Sequence, residues 1–170
     1  LESNAKTDVV IIGGGISGAL TAYYLVRAGI DCLLVDGRTI GLGSTCASTS
    51  LLQYELDTPL YKLISQVGQQ SAVRAYTLCS ESIDHMEVIA SKIKVPHFER
   101  RNSLYFAAAI KDVDGLKQEY HARKKAGFSV EYLENGALRK QYGVSSPGGI
   151  LSRQGAQTDA YLLTHSLLQY

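Results

Sequence analysis

Three glycines near the start of the chain have the spacing needed to hold the pyrophosphate of a dinucleotide. They are Gly13, Gly15 and Gly18, within the run GGGISG, which directly follows the apolar run VVII. The first glycine permits a tight turn, the second lets the backbone approach the phosphates, and the third lets a helix pack closely on the preceding strand. The spacing therefore predicts that the chain binds a dinucleotide, whose type the glycines alone leave open.

The residues around this turn complete the predicted site. Ile16 and Ser17 open a helix whose free N–H groups face the anion. Asp36 closes the next apolar run, where it is placed to accept a hydrogen bond from a ribose hydroxyl, and Gly37 and Arg38 follow it. We expect these five residues to bind the cofactor together with the three glycines.

A strand, a helix and a second strand must position these residues. Residues 8–12 are predicted to form the first strand. The unbroken apolar run from Val9 onward predicts burial on both faces, as in a parallel sheet with helices on each side. The helix is expected over residues 16–28 and ends at Gly29, a typical C-terminal cap. Residues 32–35 then form the second strand.

A hydroxyl-rich loop, residues 41–50, bears on which dinucleotide is bound. It reads GLGSTCASTS, whereas a plain nicotinamide domain continues here with a crossover helix and a third parallel strand. Its hydroxyl groups can donate to phosphates or to the flavin side of a long cofactor; the candidates are Ser44, Thr45, Ser48 and Thr49. The loop favours FAD over NAD, with an NAD-dependent dehydrogenase and a merely solvated loop as the alternatives.

Beyond this loop, the apolar pattern predicts a mixture of helices and short strands. Helices are expected from about residue 57, over 69–93, 112–126 and 134–142, and from 160 to 170, with strands over 130–133 and 149–151. Residues 97–99 and 104–107 are interpreted as two strands around a turn at Arg101 and Asn102. This pattern predicts a β-hairpin.

The composition of the 170 residues is typical of a globular protein, with 45% hydrophobic and 19% charged residues. A net charge of +1 without a basic stripe excludes an electrostatic nucleic-acid site. The short basic cluster at residues 123–125 is interpreted as a solvated helix face. No apolar run approaches the roughly 18 residues of a membrane helix, and no secretory leader is recognised.

The cysteines and histidines predict neither a disulfide framework nor a metal site. The three cysteines are odd in number and lack a C-x-x-C pair, which favours free thiols in a reducing cytoplasm. The four histidines show no metal-ligand spacing. Residues 1–5 lack a starting methionine and resemble a cloning remnant, so they are expected to lie outside the fold.

The motifs together resemble a known family. Residues 9–36, followed by Gly43-Ser44-Thr45-x-x-Ser48-Thr49, are similar to the N-terminal part of the D-amino-acid oxidase-like FAD-dependent oxidoreductases. Residues 102–106, 127–133 and 155–163 resemble later segments of the same family. That family usually has Glu where Asp36 stands, and its members are considerably longer, so the chain resembles an N-terminal fragment.

The resemblance implies FAD as the cofactor and a small-molecule substrate. The implied reaction oxidises a C–N or C–OH bond of a small amine, amino acid or hydroxy compound by hydride transfer to flavin. The implied fold class is α/β: a Rossmann-type FAD-binding domain, its parallel sheet incomplete here, plus the beginning of an α+β substrate domain. The expected boundaries are 6–95 for the first, 96–146 for the hairpin and helices of the second, and 147–170 for a segment returning to the first.

Several further residues have a functional and a structural interpretation. Arg100 and Arg101 would meet a substrate carboxylate, or lie exposed at the predicted turn. Tyr54 and Glu55 would line the flavin pocket, or serve only the fold. Cys46 would attach flavin covalently, or remain a free thiol in its loop. The catalytic residues themselves are not identified.

The incomplete sheet leads to two hypotheses about the isolated chain. Its first strand keeps one edge uncovered, which favours self-association through that edge. We also expect the chain to hold FAD weakly or not at all. A truncated domain that binds no cofactor is the remaining alternative.

Overall fold

The computed structural model of the protein describes residues 4–170, so residues 1–3 of the expected cloning remnant lie outside the described residues. The elements in chain order are β1 (Val9–Ile12), α1 (Ile16–Arg27), β2 (Cys32–Val35), β3 (Leu51–Gln53), α2 (Leu60–Val67), α3 (Gln69–Lys92), β4 (Glu99–Phe106), α4 (Val113–Lys125), β5 (Val130–Glu134), α5 (Asn135–Tyr142), β6 (Gly148–Gln157) and α6 (Ala160–Gln169). A short 3-10 turn over Ile110–Asp112 precedes α4.

The chain divides into two compact units. The first contains the residues up to Ser50 together with Glu87–Phe98 and Thr158–Tyr170, and the second contains Leu51–Met86 and Glu99–Gln157. The mixed α/β class expected from the sequence is confirmed, with a parallel strand pair in one unit and an antiparallel sheet in the other.

The first unit is built on the predicted strand–helix–strand segment. Strands β1 and β2 pair in parallel, with Val9 opposite Cys32 and Ile12 opposite Val35. Helix α1 connects them and ends just before Gly29, whose φ of +76° is the left-handed conformation that glycine adopts readily. Local sequence signals therefore determine this segment, and its predicted bounds agree with the structure to within one residue at each end.

The prediction that β1 is buried on both faces is wrong for this chain. Ile11 is buried and lies against α1, but Val10 is 57% exposed and Ile12 is 87% exposed. Within the described residues, β1 pairs with β2 alone, so its other edge has no strand partner. The apolar run has the composition of a central strand, whereas α1 packs on one face of β1 only, the face that carries Ile11.

The second unit is organised around β6. Strand β4 pairs antiparallel with β6 along most of its length. Strand β3 pairs with residues 155–157 of β6, and β5 pairs with residues 148–152. Because β4 covers one edge of β6, β3 and β5 follow each other along the opposite edge. Strand β6 is longer than the predicted strand at 149–151, and the sequence pattern gives no signal for β3.

The predicted β-hairpin is wrong, because residues 99–106 form the single strand β4. The pairing register with β6 shifts between Arg101, opposite Gly155, and Ser103, opposite Ser152. The polar residues that resembled a turn therefore lie at an irregularity inside a strand. A long partner strand on one side supports both halves of β4, which a local pattern does not reveal.

Two apolar clusters form the core of the second unit. One contains Ala107, Leu116, Val130 and Ile150, and the other contains Leu133, Leu138 and Leu151. Helix α4 contributes Leu116 to the first cluster and also buries two charged residues, Glu119 and Arg123. Among residues 4–170, no helix combines the length and the apolar character needed to cross a membrane.

Candidate dinucleotide-binding site

The glycine turn between β1 and α1 has the geometry that its sequence predicts. Gly13 has a φ of +111°, and its N–H donates to the Val35 carbonyl oxygen at 2.8 Å, which ties the turn to β2. A Cβ atom at Gly18 would overlap the carbonyl oxygen of Gly13. Gly15 precedes the first turn of α1 without any side-chain cap. Gly15 therefore supplies no acceptor to the first turn, and the Ser17 N–H that follows it is directed toward an external acceptor.

Asp36 lies over this turn and is held by backbone donors. Its Oδ2 atom accepts from the Gly14 N–H at 2.6 Å, and its Oδ1 atom accepts from the Arg38 N–H at 2.7 Å. The hydrogen bond from Gly14, and then that from Arg38, holds the pKa of Asp36 below its ordinary value. The charged carboxylate thus favours the folded state at neutral pH, and this contribution is lost as pH falls through the lowered pKa.

The loop over residues 41–50 folds back onto the glycine turn. The Gly41 N–H donates to the Gly14 carbonyl oxygen at 3.0 Å. Thr45 is only 6% exposed, and its Oγ1 atom accepts from the Ile16 N–H at 3.1 Å. A Cβ atom at Gly15 would approach that hydroxyl to 2.9 Å. Glycine at this position therefore makes room for the loop as well as for any ligand.

The structure brings some of the predicted site residues together and leaves others at the surface. Those gathered around the turn are Gly13, Gly15, Ile16, Gly18, Asp36 and Thr45. Arg38 reaches the group through its backbone N–H, while Ser17, Gly37, Ser44, Ser48 and Thr49 are exposed. A loop residue, Thr45, and a residue of the helix start, Ile16, thus share one hydrogen bond.

A polar cavity of about 320 Å³ adjoins this loop and includes residues that sequence reasoning missed. The loop contributes Thr45, Cys46, Ser48, Thr49 and Ser50, and the start of α6 contributes Thr158, Asp159, Ala160 and Tyr161. Ser50 joins the two segments, since its carbonyl oxygen accepts from the Thr158 N–H and its Oγ atom accepts from the Ala160 N–H, each at 3.2 Å. Asp159 accepts from the Leu162 N–H at 2.9 Å and so caps α6, a signal that would have drawn attention to this segment in the sequence.

The comparison with protein families decides which dinucleotide-binding group this is. A family model described as FAD dependent oxidoreductase matches residues 8–170. The chain belongs to that FAD-dependent oxidoreductase family. The resemblance stated from the motifs is confirmed, and FAD is the cofactor that defines the family. The alternative of an NAD-dependent dehydrogenase is thereby overturned.

Three similar proteins illustrate how this family member relates to known ones. A Bacillus subtilis (strain 168) protein with the provisional name Rieske 2Fe-2S iron-sulfur protein YhfW is 24% identical over 136 residues, covering 79% of this chain and 27% of that protein. The gamma-glutamylputrescine oxidoreductase of Escherichia coli (strain K12) is 23% identical over 145 residues, covering 83% of this chain and 33% of that protein. The solved glycine oxidase of Geobacillus kaustophilus matches with a TM-score of 0.78 at 19% identity, covering 96% of this chain and 44% of that one. The chain therefore spans less than half the length of each.

The residues of this FAD-dependent oxidoreductase chain fit the dinucleotide part of FAD. The start of α1 has no side-chain cap, and a Cβ atom at Gly13 would meet nothing within 4 Å, so open space lies beside the turn. The hydroxyl of Thr158, at the adjoining cavity, is buried and has no hydrogen-bond partner among the described residues. Uncapped N–H groups suit a pyrophosphate, and the Asp36 carboxylate suits a ribose hydroxyl.

The arginines predicted to meet a substrate carboxylate are already engaged with protein carboxylates. Arg100 donates from Nη2 to Asp84 Oδ1 at 2.5 Å, and Arg101 is paired with Glu99. The hydrogen bonds from Gln154 and then Arg100 hold the pKa of Asp84 below its ordinary value. Both arginines lie in β4 rather than at a turn, so the structure gives no support to a role in binding substrate.

Arg123 is the largest departure from the sequence interpretation, which placed it on a solvated helix face. It is 2% exposed, and it donates from Nε to Glu119 at 2.5 Å and from Nη1 to Glu55 at 3.1 Å. Burial lowers the pKa of Arg123, but the attraction and hydrogen bond of Glu119 outweigh it, so the pKa is raised overall. Tyr54 is fully buried beside this group, and burial raises the pKa of its hydroxyl. Glu55 and Tyr54, expected near flavin, thus belong to a charged cluster of the second unit.

No metal site accompanies these groups. Within residues 4–170, no cluster of three or more His, Cys, Asp or Glu side chains has the arrangement to hold a metal ion.

Proposed function

We propose that the whole protein oxidises a C–N or C–OH bond of a small amine, amino acid or hydroxy compound, with FAD as the hydride acceptor. The meeting of the glycine turn, Asp36 and Thr45 at the start of α1 carries this proposal, because these groups match the pyrophosphate and ribose of a dinucleotide. The domain bounds stay a proposal: 6–95 for the N-terminal part of the FAD-binding domain, 96–146 for the start of the substrate domain, and 147–170 for a segment returning toward the FAD-binding domain.

Each residue of the proposed cofactor site has a defined task. Gly13, Gly15 and Gly18 form the turn and its close packing. The Ser17 N–H binds phosphate, and the Ile16 N–H beside it holds the Thr45 hydroxyl at the same site. Asp36 orients the ribose, assisted by Gly37 and Arg38. The loop hydroxyls extend the site along the cofactor; they are Ser44, Thr45, Ser48 and Thr49. When bound, FAD supplies a ring system that accepts a hydride from the substrate carbon.

The cofactor role is tested by titrating ADP, which carries the ribose and phosphate groups that this part of the site recognises. We expect Asp36→Asn and Thr45→Val each to weaken ADP binding by about tenfold, the size of one lost hydrogen bond to a charged group. Isothermal titration calorimetry gives the dissociation constants. Asp31→Asn and Thr39→Val are matched controls, because both side chains are exposed in the same unit. If the control variants weaken ADP binding as much as Asp36→Asn and Thr45→Val do, the proposed site is wrong.

The isolated chain is expected to lose FAD during gel filtration, because an isoalloxazine ring needs contacts beyond the ribose and pyrophosphate site. Saturating FAD at about 100 times its dissociation constant should still add ~2.7 kcal/mol to the free energy of unfolding. A visible flavin band that co-elutes with the chain contradicts weak retention. The absence of any thermal shift with FAD or ADP would instead support a domain that binds no cofactor.

The reaction class is tested in the whole protein by anaerobic mixing with panels of amines, amino acids and hydroxy compounds. We expect one panel to bleach the visible flavin absorption. A holoprotein that none of them reduces contradicts the proposed oxidation of C–N or C–OH bonds.

The exposed edge and face of β1 make self-association of the isolated chain a second proposal. Val10 and Ile12 are large, apolar and exposed beside an edge that lacks a strand partner among the described residues. We expect Ile12→Lys to shift the chain toward a monomer in light scattering at high concentration. Val26→Lys, an exposed apolar position on α1, is the matched control. An identical mass distribution for the wild type and Ile12→Lys would contradict association through β1.

The location of the protein in the cytoplasm is also proposed. Cys32, Cys46 and Cys79 are free thiols in the structure, which suits a reducing compartment. Cell fractionation of the whole protein tests this assignment.

A further inference from the structure

A cavity of about 270 Å³ in the second unit combines charged groups with apolar walls. Its charged lining residues are Glu55, Asp57 and Arg123, and Gln53, Ser103 and Tyr105 add neutral polar groups. Leu56 and Leu104 complete part of the wall. A cavity of this composition suits a small ligand with one charged end and a short hydrocarbon portion.

The charge balance of the lining decides the sign of that ligand. The Arg123 guanidinium already donates to Glu119 at 2.5 Å and to Glu55 at 3.1 Å, so its charge is compensated within the protein. Asp57 adds a third carboxylate to the group, on an exposed side chain that lines the cavity. The lining therefore holds two carboxylates and one guanidinium, whose charge is further offset by Glu119 behind the cavity wall, so the site attracts a cation and repels a carboxylate ligand.

Glu55 provides the second reason to expect a hydrogen-bond donor in the ligand. Its Oε1 atom is paired with Arg123, whereas its Oε2 atom is buried and accepts no hydrogen bond from the described residues. A buried carboxylate oxygen without a donor is costly. An ammonium group carries three donors and a positive charge, so it matches both this oxygen and the Asp57 carboxylate.

We propose that this cavity binds the cationic ammonium end of an amine substrate, with Glu55 and Asp57 as its acceptors. The inference rests on the proposed function, and it narrows the substrate from amines, amino acids and hydroxy compounds to amines with a free cationic end. Arg123 acts here as a positioning residue, because it holds Glu55 rather than the ligand. Leu56 and Leu104 then contact the alkyl portion.

The test compares n-butylammonium with n-butyrate, which has a similar length and the opposite charge, as ligands of the chain. Backbone amide chemical shifts of Ser103 and Tyr105 report binding at the cavity. We expect them to respond to butylammonium and to remain unchanged with butyrate. Asp57→Asn should weaken butylammonium binding by about two- to fivefold, and Glu55→Gln by about tenfold, as expected for an exposed and a more buried charge.

Glu131→Gln is the matched control, since Glu131 is an exposed carboxylate of the same unit that does not line the cavity. It should leave the butylammonium affinity unchanged. Butyrate binding as tightly as butylammonium, or equal loss of affinity in Glu131→Gln and Glu55→Gln, would overturn the inference. Gln at position 55 still offers Arg123 an acceptor, and urea unfolding of each variant separates lost binding from lost folding.

The two proposals fail in different measurements. If the chain binds neither ADP nor FAD, the proposed cofactor site in the first unit is wrong. Binding of butylammonium at the cavity is measured without any cofactor, so that result does not affect it. In the whole enzyme, Asp57→Asn should raise KM for a cationic amine and leave kcat unchanged. If the KM of an uncharged hydroxy compound rises equally, the cationic site is wrong while the flavin-dependent oxidation stands.

Discussion

Replacing Arg123 with methionine should lower the free energy of unfolding by about 3–5 kcal/mol, the cost of removing one partner from a buried ion pair. The side chain of Arg123 is 3% exposed and that of Glu119 is fully buried. Methionine fills a similar volume but leaves the Glu119 carboxylate without its guanidinium. Urea unfolding of the isolated chain, followed by circular dichroism, measures the loss.

Lys124→Met is the matched control for this prediction. Lys124 is the next residue of α4 and is exposed, so its replacement should change stability by no more than about 0.5 kcal/mol. The double variant Glu119→Gln with Arg123→Met should lose less than the sum of the single losses, with a coupling of about 0.5–3 kcal/mol. If Arg123→Met and Lys124→Met lower the free energy of unfolding equally, the buried ion pairs of Arg123 do not stabilise the second unit.

Gly18→Ala should destabilise the first unit and abolish ADP binding, although alanine favours a helix. In an ordinary helix interior, replacing glycine with alanine raises the free energy of unfolding by about 1 kcal/mol. Here the new Cβ atom would overlap the Gly13 carbonyl oxygen, which belongs to the backbone and cannot rotate away. We expect a loss of about 1–3 kcal/mol, as in overpacked cores, because the turn and α1 must separate. Thermal unfolding and ADP titration measure the two effects.

Gly136→Ala is the control that isolates this overlap. Gly136 lies in α5, where a Cβ atom would meet nothing within 4 Å. Alanine there should stabilise by about 0.5 kcal/mol through helix propensity. Should Gly18→Ala also stabilise the chain and retain ADP binding, the close approach of α1 to the glycine turn has no role in the site.

The strand–turn–helix–strand segment was predictable because its determinants are local. Gly13 needs a positive φ, α1 ends at Gly29, and the apolar runs form β1 and β2 within a few dozen residues. The sequence also predicted that the loop hydroxyls and the glycine turn belong to one site. In the structure Thr45 accepts a hydrogen bond from Ile16, 29 positions earlier in the sequence. The role of these residues in holding FAD stays a prediction until a ligand is titrated.

Other features were not predictable because they depend on distant partners. The basic run at residues 123–125 resembles any solvated helix end, yet Glu55, 68 positions earlier, bonds to Arg123 in the interior. Residues 99–106 resemble a hairpin until β6 pairs along the whole strand. Thr158 lies in a segment that resembles the family, but only the pairing of its backbone with Ser50 brings it to the cavity beside the loop.

The sequence by itself determined the glycine turn, its flanking strands and helix, and the resemblance to FAD-dependent oxidoreductases. These depend on backbone conformation and on spacings within one β-α-β segment, which residue type controls directly. Only the tertiary structure decided that Arg123 is buried between Glu119 and Glu55 and that carboxylates dominate the nearby cavity. A charged side chain is buried only where an oppositely charged partner lies beside it, and only the folded chain brings such partners together.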